Sequence, residues 1–196
     1  MAGIRSFIAI DLPPKIQTRL ENISDQLQER LEGVPVRWVP VGNIHLTLKF
    51  LGDVSESNLE VLKDVLQTVV SGHPTFEISV GGLGAFPKSK RPRVIWIGIE
   101  APQDLSVVQR NIEAETTRLG YAPEKRPFSP HLTLGRVSRN AKSRDIRQVA
   151  EVLKSYKVGY LGVARIEAVH LYRSDLHPGG AVYSGLFTAP LSGLSI

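Results

Sequence analysis

The tetrapeptide His45-Leu-Thr-Leu48 occurs a second time in the chain, as His131-Leu-Thr-Leu134, 86 residues later. In an extended strand alternate side chains share a face, so each histidine and its threonine point to one side while the two leucines point into a core. Each copy therefore presents one imidazole and one hydroxyl together. An imidazole titrates near neutral pH and can give or take a proton, and a hydroxyl can hydrogen-bond an anionic oxygen.

A lone histidine in an apolar strand is more often a structural residue than a catalyst. The duplication favours the catalytic interpretation, because a second structural strand would need apolar residues at these positions and has no need of a matched histidine and threonine. Two such strands placed side by side would form an acid–base pair. The sequence therefore predicts that His45 and His131 are the catalytic residues.

The composition narrows the possible chemistry. The chain has 196 residues and no cysteine, which excludes disulfides, thiolate catalysis and cysteine-based metal sites. Its 24 Lys and Arg exceed its 19 Asp and Glu, a formal charge of +5 that weakly favours an anionic partner. Two basic clusters stand out, although each is also typical of a solvated loop or helix face: Lys88, Lys90, Arg91 and Arg93, and then Arg136, Arg139, Lys142, Arg144 and Arg147.

The order of predicted elements repeats along the chain. A strand at 7–10, a helix from Ile16 to Leu31, the first motif strand, a helix after Ser55 and a strand at 76–80 form a first unit. A strand at 94–99, a helix over 105–119, the second motif strand, a helix over 144–156 and strands at 160–164 and 166–172 follow. The first strand precedes its motif by 38 residues in one unit and 37 in the other. The spacing indicates a duplicated half-domain.

The duplication predicts an α+β fold with two lobes related by a pseudo-two-fold axis. Two mainly antiparallel sheets would line a central cleft, with helices on the outside. No linker separates the halves, so we expect one domain over 1–196, built from intertwined lobes of roughly 1–90 and 91–196 that do not fold independently. The amino terminus has neither a signal peptide nor a membrane span before Asp11, so a cytoplasmic location is the expectation.

With both motifs in place, the sequence resembles the 2H phosphoesterase superfamily, named for two His-x-Thr-x motifs. It is most similar to the RNA 2′,3′-cyclic phosphodiesterases, also called 2′-5′ RNA ligase-like proteins. The resemblance spans essentially the whole chain, and the matching stretches are Arg5–Ile10, His45–Gly52, Gly84–Pro87, Arg91–Trp96 and Pro127–Arg136.

The resemblance implies a bilobal α+β fold and metal-independent hydrolysis of an RNA 2′,3′-cyclic phosphate to a 2′-phosphomonoester. It also implies that His131 is the general base and His45 the acid that protonates the 3′-oxygen, an assignment that the symmetry of the two motifs leaves open. No metal and no cofactor is expected. The expected partner is an RNA end or oligonucleotide carrying a cyclic phosphate, without a membrane or an obligate protein partner, and the chain is expected to be a monomer.

Substrate-binding candidates lie in and around the motifs. Thr47 and Thr133 would hydrogen-bond phosphoryl oxygens, and Arg136 would offer a guanidinium fork to two of them. The first copy has Phe50 where the second has Arg136, an asymmetry that an asymmetric substrate would need. Phe7, Trp38 and Phe128 are candidates for stacking a terminal base, with a core position as the alternative for each. His73, His170 and His177 lack a partner at motif spacing and are expected to be structural or exposed.

Three alternatives remain at this point. The same site could join RNA ends reversibly through a 2′-5′ linkage, or hydrolyse 2′-5′ oligonucleotides or small cyclic nucleotides. The chain could instead bind RNA with vestigial catalytic residues, although both motifs are intact. A metallohydrolase using the two histidines as ligands would need carboxylate or thiolate partners at ligand spacing, and the sequence offers none near the motifs.

Overall fold

The computed structural model describes residues 3–177 and 180–193. Within these ranges the chain forms a mixed α+β fold in which every strand pairing is antiparallel. The elements in chain order are β1 (Ile4–Ile10), α1 (Pro14–Arg30), β2 (Val36–Trp38), β3 (Leu46–Val54), α2 (Glu56–Ser71), β4 (Phe76–Lys88), β5 (Arg91–Glu100), α3 (Gln103–Arg118), β6 (His131–Val137), α4 (Ser143–Ser155), β7 (Tyr160–Ile166), β8 (Ala168–His177) and β9 (Gly180–Pro190).

The helices form where apolar residues recur with helical spacing. In α1, Ile16, Leu20, Ile23 and Leu27 are buried along one face while the residues between them are mostly exposed. Proline is tolerated in the first turn of this helix because its missing N–H would have no partner there. The chain turns away shortly after the helix at Gly33, whose φ of 76° is readily adopted only by glycine. The helix predicted from the sequence is confirmed.

The strands form one continuous sheet, whereas two separate sheets were expected. Its order is β7-β4-β5-β6-β3-β1-β8-β9, and β2 also pairs with β6. The two motif strands, β6 and β3, are joined through a single antiparallel pair, Leu46 and Leu132. The expectation of two sheets failed because the motif strands meet edge to edge at the pseudo-two-fold axis and hydrogen-bond to each other. The α+β class and the duplicated architecture are confirmed.

Each half of the sheet combines elements from both halves of the chain. The His45 half-sheet consists of β3, β1, β8 and β9, and helices α2 and α3 pack on it. The His131 half-sheet consists of β6, β5, β4, β7 and β2, with α4 against β5 and α1 against β7. Strands β2 and β4 and helix α1 thus cross from the first repeat into the His131 half-sheet, while β8, β9 and α3 cross from the second repeat into the His45 half-sheet.

One buried ion pair ties the crossing helix α3 to the first motif strand. Lys49 points to the helix-covered face, where its side chain is only 2% exposed. Its Nζ lies 2.6 Å from Glu113 Oε1 of α3 and donates a second hydrogen bond to the Ala122 carbonyl at 2.7 Å. A buried ammonium requires such partners, because desolvating an unpaired charge is costly. The pair therefore couples the second repeat to the strand that carries Thr47.

The motif leucines lie in the core between the sheet and the helices. Leu46, Leu48, Leu132 and Leu134 are all buried in one hydrophobic cluster. Burying a leucine side chain stabilises a fold by roughly 1.5–3 kcal/mol. Because the leucines of each motif strand are buried, the alternation of side chains turns its histidine and threonine to the opposite face of the sheet. No helix of the described residues is long and apolar enough to cross a membrane.

Strand β9 was not predicted from the sequence, although it covers eleven residues beside β8. His177, expected to be structural or exposed, is exposed at the last position of β8 and pairs with Gly180. Pro178 and Gly179, which separate the two strands in the sequence, lie outside the described residues. A Pro-Gly-Gly stretch between two apolar segments is a hairpin signal that could have revealed this strand.

Candidate active site

The four motif side chains that leave the core meet around the Leu46–Leu132 pair. Counting one residue outward along antiparallel strands places Thr133 across from His45 and Thr47 across from His131. Histidine and threonine thus alternate around the pseudo-two-fold axis. The two histidines are diagonal neighbours, and such positions lie about 7–8 Å apart in an antiparallel pair. This separation leaves room for one tetrahedral phosphorus centre between the imidazoles.

Each imidazole is held by the backbone two residues before it. His131 Nδ1 lies 2.7 Å from the carbonyl oxygen of Ser129, and His45 makes a hydrogen bond to the backbone of Asn43. With Nδ1–H donating to a carbonyl, the other ring nitrogen of His131, Nε2, is left to accept or donate a proton in the cleft. The two copies therefore share both the motif and its anchoring contact.

Aromatic side chains of neighbouring strands pack against each histidine ring. Phe7 stacks on His45 with ring centroids 4.7 Å apart, and Tyr183 meets the same imidazole edge-on at 5.3 Å. On the other side Phe86 contacts His131 edge-on at 4.9 Å, with Trp96 at 6.4 Å. These apolar surroundings remove water from the imidazoles, which disfavours their charged forms.

Burial lowers the pKa of both histidines, but the surrounding charges act in opposite directions at the two sites. At His45 the negative charge of Asp11 opposes the effect of burial and raises the pKa. At His131 the positive charges of Arg136 and Arg126 add to the effect of burial and lower the pKa further, against the hydrogen bond to Ser129. The two motifs are therefore alike in geometry and different in electrostatics.

Arg136 reaches the catalytic face because of a β-bulge. In a regular strand, residues 133 and 136 would point to opposite faces. The register of β5 and β6 shifts between Ile95 and Trp96, so that Trp96 pairs with Thr133 while Ile95 pairs with Gly135. One extra residue on β6 turns Arg136 back to the side of Thr133. Partial burial and the nearby Arg37 lower the pKa of Arg136, and Tyr183 acts in the opposite direction.

The corresponding bulge in the His45 half-sheet turns Phe50 to the same face. Ala9 pairs with Thr47 and Ile8 with Lys49, which leaves Leu48 as the extra residue. The Phe50 side chain is 60% exposed beside Phe7, with ring centroids 6.2 Å apart. An exposed aromatic ring at the edge of the cleft can stack on a nucleobase. Phe50 was noted in the sequence only as the counterpart of Arg136.

The three aromatic residues suggested for base stacking all pack against other side chains of the protein. Phe7 is 3% exposed, and its ring stacks between His45 and Tyr172, so it supports the histidine and has no free face. Trp38 pairs with Gly135 on the side away from the cleft and packs against the core. Phe128 is half-buried and also packs against the core.

Thr47 and Thr133 are half-buried on the face of the sheet that carries His45 and His131. Within the described residues neither hydroxyl is engaged in a side-chain hydrogen bond, so both can donate to a bound anion. In residues 3–177 and 180–193, no group of three or more His, Asp or Glu side chains is arranged to hold a metal ion.

Asp11 and Tyr172 are functional candidates that no sequence motif marks. Asp11 follows β1 and accepts a 2.6 Å hydrogen bond from the Tyr172 hydroxyl, and His170 Nε2 lies 3.7 Å from the same carboxylate. His170 Nδ1 is 3.0 Å from the Thr188 hydroxyl. These contacts join the end of β1 to strands β8 and β9, which are distant in sequence, so no local pattern could reveal them. His73, by contrast, is in hydrogen-bond contact with Asn111, with its Nε2 3.1 Å from Asn111 Nδ2.

Replacing Asp11 by asparagine should lower the pKa of His45. The amide keeps an acceptor for Tyr172 but removes the negative charge that favours the imidazolium. The pKa values of His45 and His131 can be followed by NMR titration of the imidazole resonances. We expect the pKa of His131 to stay unchanged, and Asp104→Asn on the outer helix α3 to alter neither histidine. An unchanged His45 pKa in Asp11→Asn would contradict this account of the site.

Two histidines and two threonines facing a cleft, with an arginine beside them, are the arrangement expected of a two-histidine phosphoesterase. The comparisons agree with this class. The family model of LigT like Phosphoesterase matches residues 10–96 and again residues 97–183, so each motif falls in one match. The chain belongs to this family.

Named relatives cover nearly the whole chain. An RNA 2′,3′-cyclic phosphodiesterase of Methanothermobacter thermautotrophicus is 36% identical over 183 residues, which cover 93% of this chain and 96% of that protein. One of Archaeoglobus fulgidus is 33% identical over 93% of this chain and 98% of its own length. Among solved structures, LigT of Escherichia coli complexed with 3′-AMP has a TM-score of 0.77 and 25% identity, over 97% of this chain and 99% of that one.

Proposed function

We propose that the protein hydrolyses RNA 2′,3′-cyclic phosphate ends to 2′-phosphomonoesters without a metal ion. The observation that supports the proposal is the alternation of histidine and threonine around the Leu46–Leu132 pair, which places one imidazole on each side of a gap wide enough for one phosphorus centre. Relatives at 36% and 33% identity carry the name of this activity.

The proposed reaction opens the five-membered ring by water. His131 takes a proton from a water molecule as its oxygen bonds to phosphorus, the bond from phosphorus to the 3′-oxygen breaks, and His45 gives a proton to that oxygen. The product carries a 2′-phosphate and a 3′-hydroxyl. Thr47, Thr133 and Arg136 would hydrogen-bond the non-bridging oxygens, on which negative charge grows in the transition state.

The electrostatics of the site support this division of roles. A general acid must hold its proton before the reaction, and the Asp11 carboxylate favours the protonated form of His45. A general base must be neutral, and Arg136 and Arg126 favour the neutral form of His131. The family resemblance implies the same assignment, although the two motifs are identical in sequence.

The deciding experiment is incubation of the purified protein with an RNA that ends in a 2′,3′-cyclic phosphate, in the presence of EDTA. The proposal predicts turnover and a 2′-phosphate product, which differs in chromatographic mobility from the 3′-phosphate. Absence of turnover, a 3′-phosphate product, or activity that is lost with EDTA and restored by a divalent cation would each overturn it.

The same two proton transfers would join RNA ends if a 5′-hydroxyl took the place of water. Adding an RNA with a 5′-hydroxyl to the same assay tests this alternative, because ligation would give a longer product with a 2′-5′ linkage. A cytoplasmic location and a monomeric state stay predictions, and size-exclusion chromatography with light scattering would test the second.

A further inference from the structure

Some members of the two basic clusters line one pocket beside the candidate active site. Arg93 comes from β5, Arg136 from the end of β6, and Arg139 from the turn after β6. Arg37, which belongs to neither cluster, comes from β2. Together with Val94, Val137 and Ser138 they line an open pocket of about 730 Å³. Four arginines from three separate segments therefore line one open pocket.

This arrangement is unfavourable in the free protein. Arg37 and Arg136 are direct cross-strand partners in the β2–β6 pair, and like charges at such positions repel each other. None of the four guanidinium groups lies within salt-bridge distance of a carboxylate in the described part of the chain. Arg93 donates a 2.8 Å hydrogen bond to the carbonyl of Ser138, which orients its guanidinium group without neutralising it. An anion placed among these groups would relieve the repulsion.

The pocket adjoins the candidate active site, because Arg136 lines the pocket and also lies on the face of Thr133. A cyclic phosphate at a 3′ end has no phosphate downstream of it, so a second phosphate near the site must lie on the 5′ side of the terminal nucleotide. We propose that Arg37, Arg93 and Arg139 bind the phosphodiester that joins the terminal nucleotide to the rest of the RNA. This inference rests on the proposed function and adds a requirement for a second phosphate in the substrate.

The subsite would make the enzyme distinguish RNA ends from cyclic mononucleotides. A nucleoside 2′,3′-cyclic phosphate fills the cleft between the histidines but leaves the arginine pocket without an anion. Its 5′-phosphorylated form, or a dinucleotide with the same cyclic end, supplies the second phosphate. Arginine matches two phosphate oxygens with its planar fork, so the gain should appear mainly as a lower KM.

The test compares kcat/KM for adenosine 2′,3′-cyclic phosphate, its 5′-phosphorylated form and the dinucleotide ApA with a 2′,3′-cyclic end. In the wild type we expect the second phosphate to raise kcat/KM at least tenfold. The triple variant Arg37→Gln, Arg93→Gln, Arg139→Gln should lose this gain. The readout is a ratio between substrates on one protein, so a general loss of activity does not affect it.

A matched control removes three exposed charges from the outer helices: Arg110→Gln, Arg147→Gln and Lys154→Gln. It should keep the wild-type ratio, which separates the pocket from a general effect of net charge. If the triple variant does not fold, the salt dependence of the wild-type ratio serves instead. Contact with one additional phosphate predicts a log–log slope of about −0.7 with monovalent salt.

The outcomes separate the two proposals. Equal kcat/KM for all three substrates in the wild type, a gain that survives in the triple variant, or a ratio that salt leaves unchanged would overturn the subsite while leaving the hydrolase intact. No turnover of any of the three substrates would instead overturn the proposed function.

Discussion

His45→Ala and His131→Ala should each lower kcat on a 2′,3′-cyclic phosphate by roughly 10²–10⁴-fold, the usual contribution of a positioned acid or base. Both imidazoles face the phosphorus-sized gap beside the Leu46–Leu132 pair, and no neighbouring histidine can replace either one there. Steady-state kinetics on an RNA or dinucleotide substrate measures the effect. His73→Ala is the matched control, because His73 lies at the end of α2 and contacts Asn111.

The roles of the two histidines can be separated with a substrate in which sulfur replaces the bridging 3′-oxygen. A thiolate leaves without being protonated, so this substrate does not need a general acid. His45→Ala should therefore lose far less activity on the 3′-thio substrate than on the oxygen substrate. His131→Ala should lose the same factor on both, because water still needs a base. The opposite pattern would reverse the assignment, and a wild-type rate in either variant would remove that histidine from the mechanism.

Arg136→Gln should lower kcat by roughly 10²–10³-fold, the cost of removing one preorganised donor to a developing oxyanion. The β-bulge at Ile95 and Trp96 turns its guanidinium to the face of Thr133. Arg136→Lys should recover only part of the loss, since a lysine keeps the charge without the planar fork. Single-turnover kinetics at saturating substrate isolates this effect from binding.

Arg5→Gln is the control for Arg136, because Arg5 is exposed on β1 and pairs with Asp53 at the far end of β3. It should behave like the wild type. If Arg136→Gln raised KM and left kcat unchanged, Arg136 would bind the ground state and the transition state equally well, and its proposed role in stabilising charge would be wrong.

The parts of the site that the sequence predicted depend on local periodicity. Alternation along His45-Leu-Thr-Leu48 and along its second copy separates polar from apolar side chains within each strand, and the burial of the four leucines confirms it. The duplication predicted that the two strands would meet at a pseudo-two-fold axis. Their direct pairing through Leu46 and Leu132 decides which residues face each other, and this follows from tertiary packing alone.

The parts that the sequence missed depend on partners that are distant along the chain. The bulge that redirects Arg136 is a property of the pairing between β5 and β6, so a single strand gives no sign of it. Asp11 acquires its significance from Tyr172, 161 residues away. Tyr183 lies on β9, which was not predicted, and its contact with His45 could not have been anticipated. Arg37 stood outside both basic clusters, and only the pairing of β2 with β6 placed it opposite Arg136.

The Leu46–Leu132 pair also fixes the distance between the imidazoles of His45 and His131. Because both motif strands belong to one hydrogen-bonded sheet, the distance between the imidazoles follows from the spacing of neighbouring strands, about 4.7–4.9 Å, and from the residue repeat along them. A slip of one residue in this pairing would turn over one of the two motif strands, and its histidine would then face the core. The backbone pairing therefore sets the distance between the two imidazoles, and this distance is kept as long as the sheet is intact.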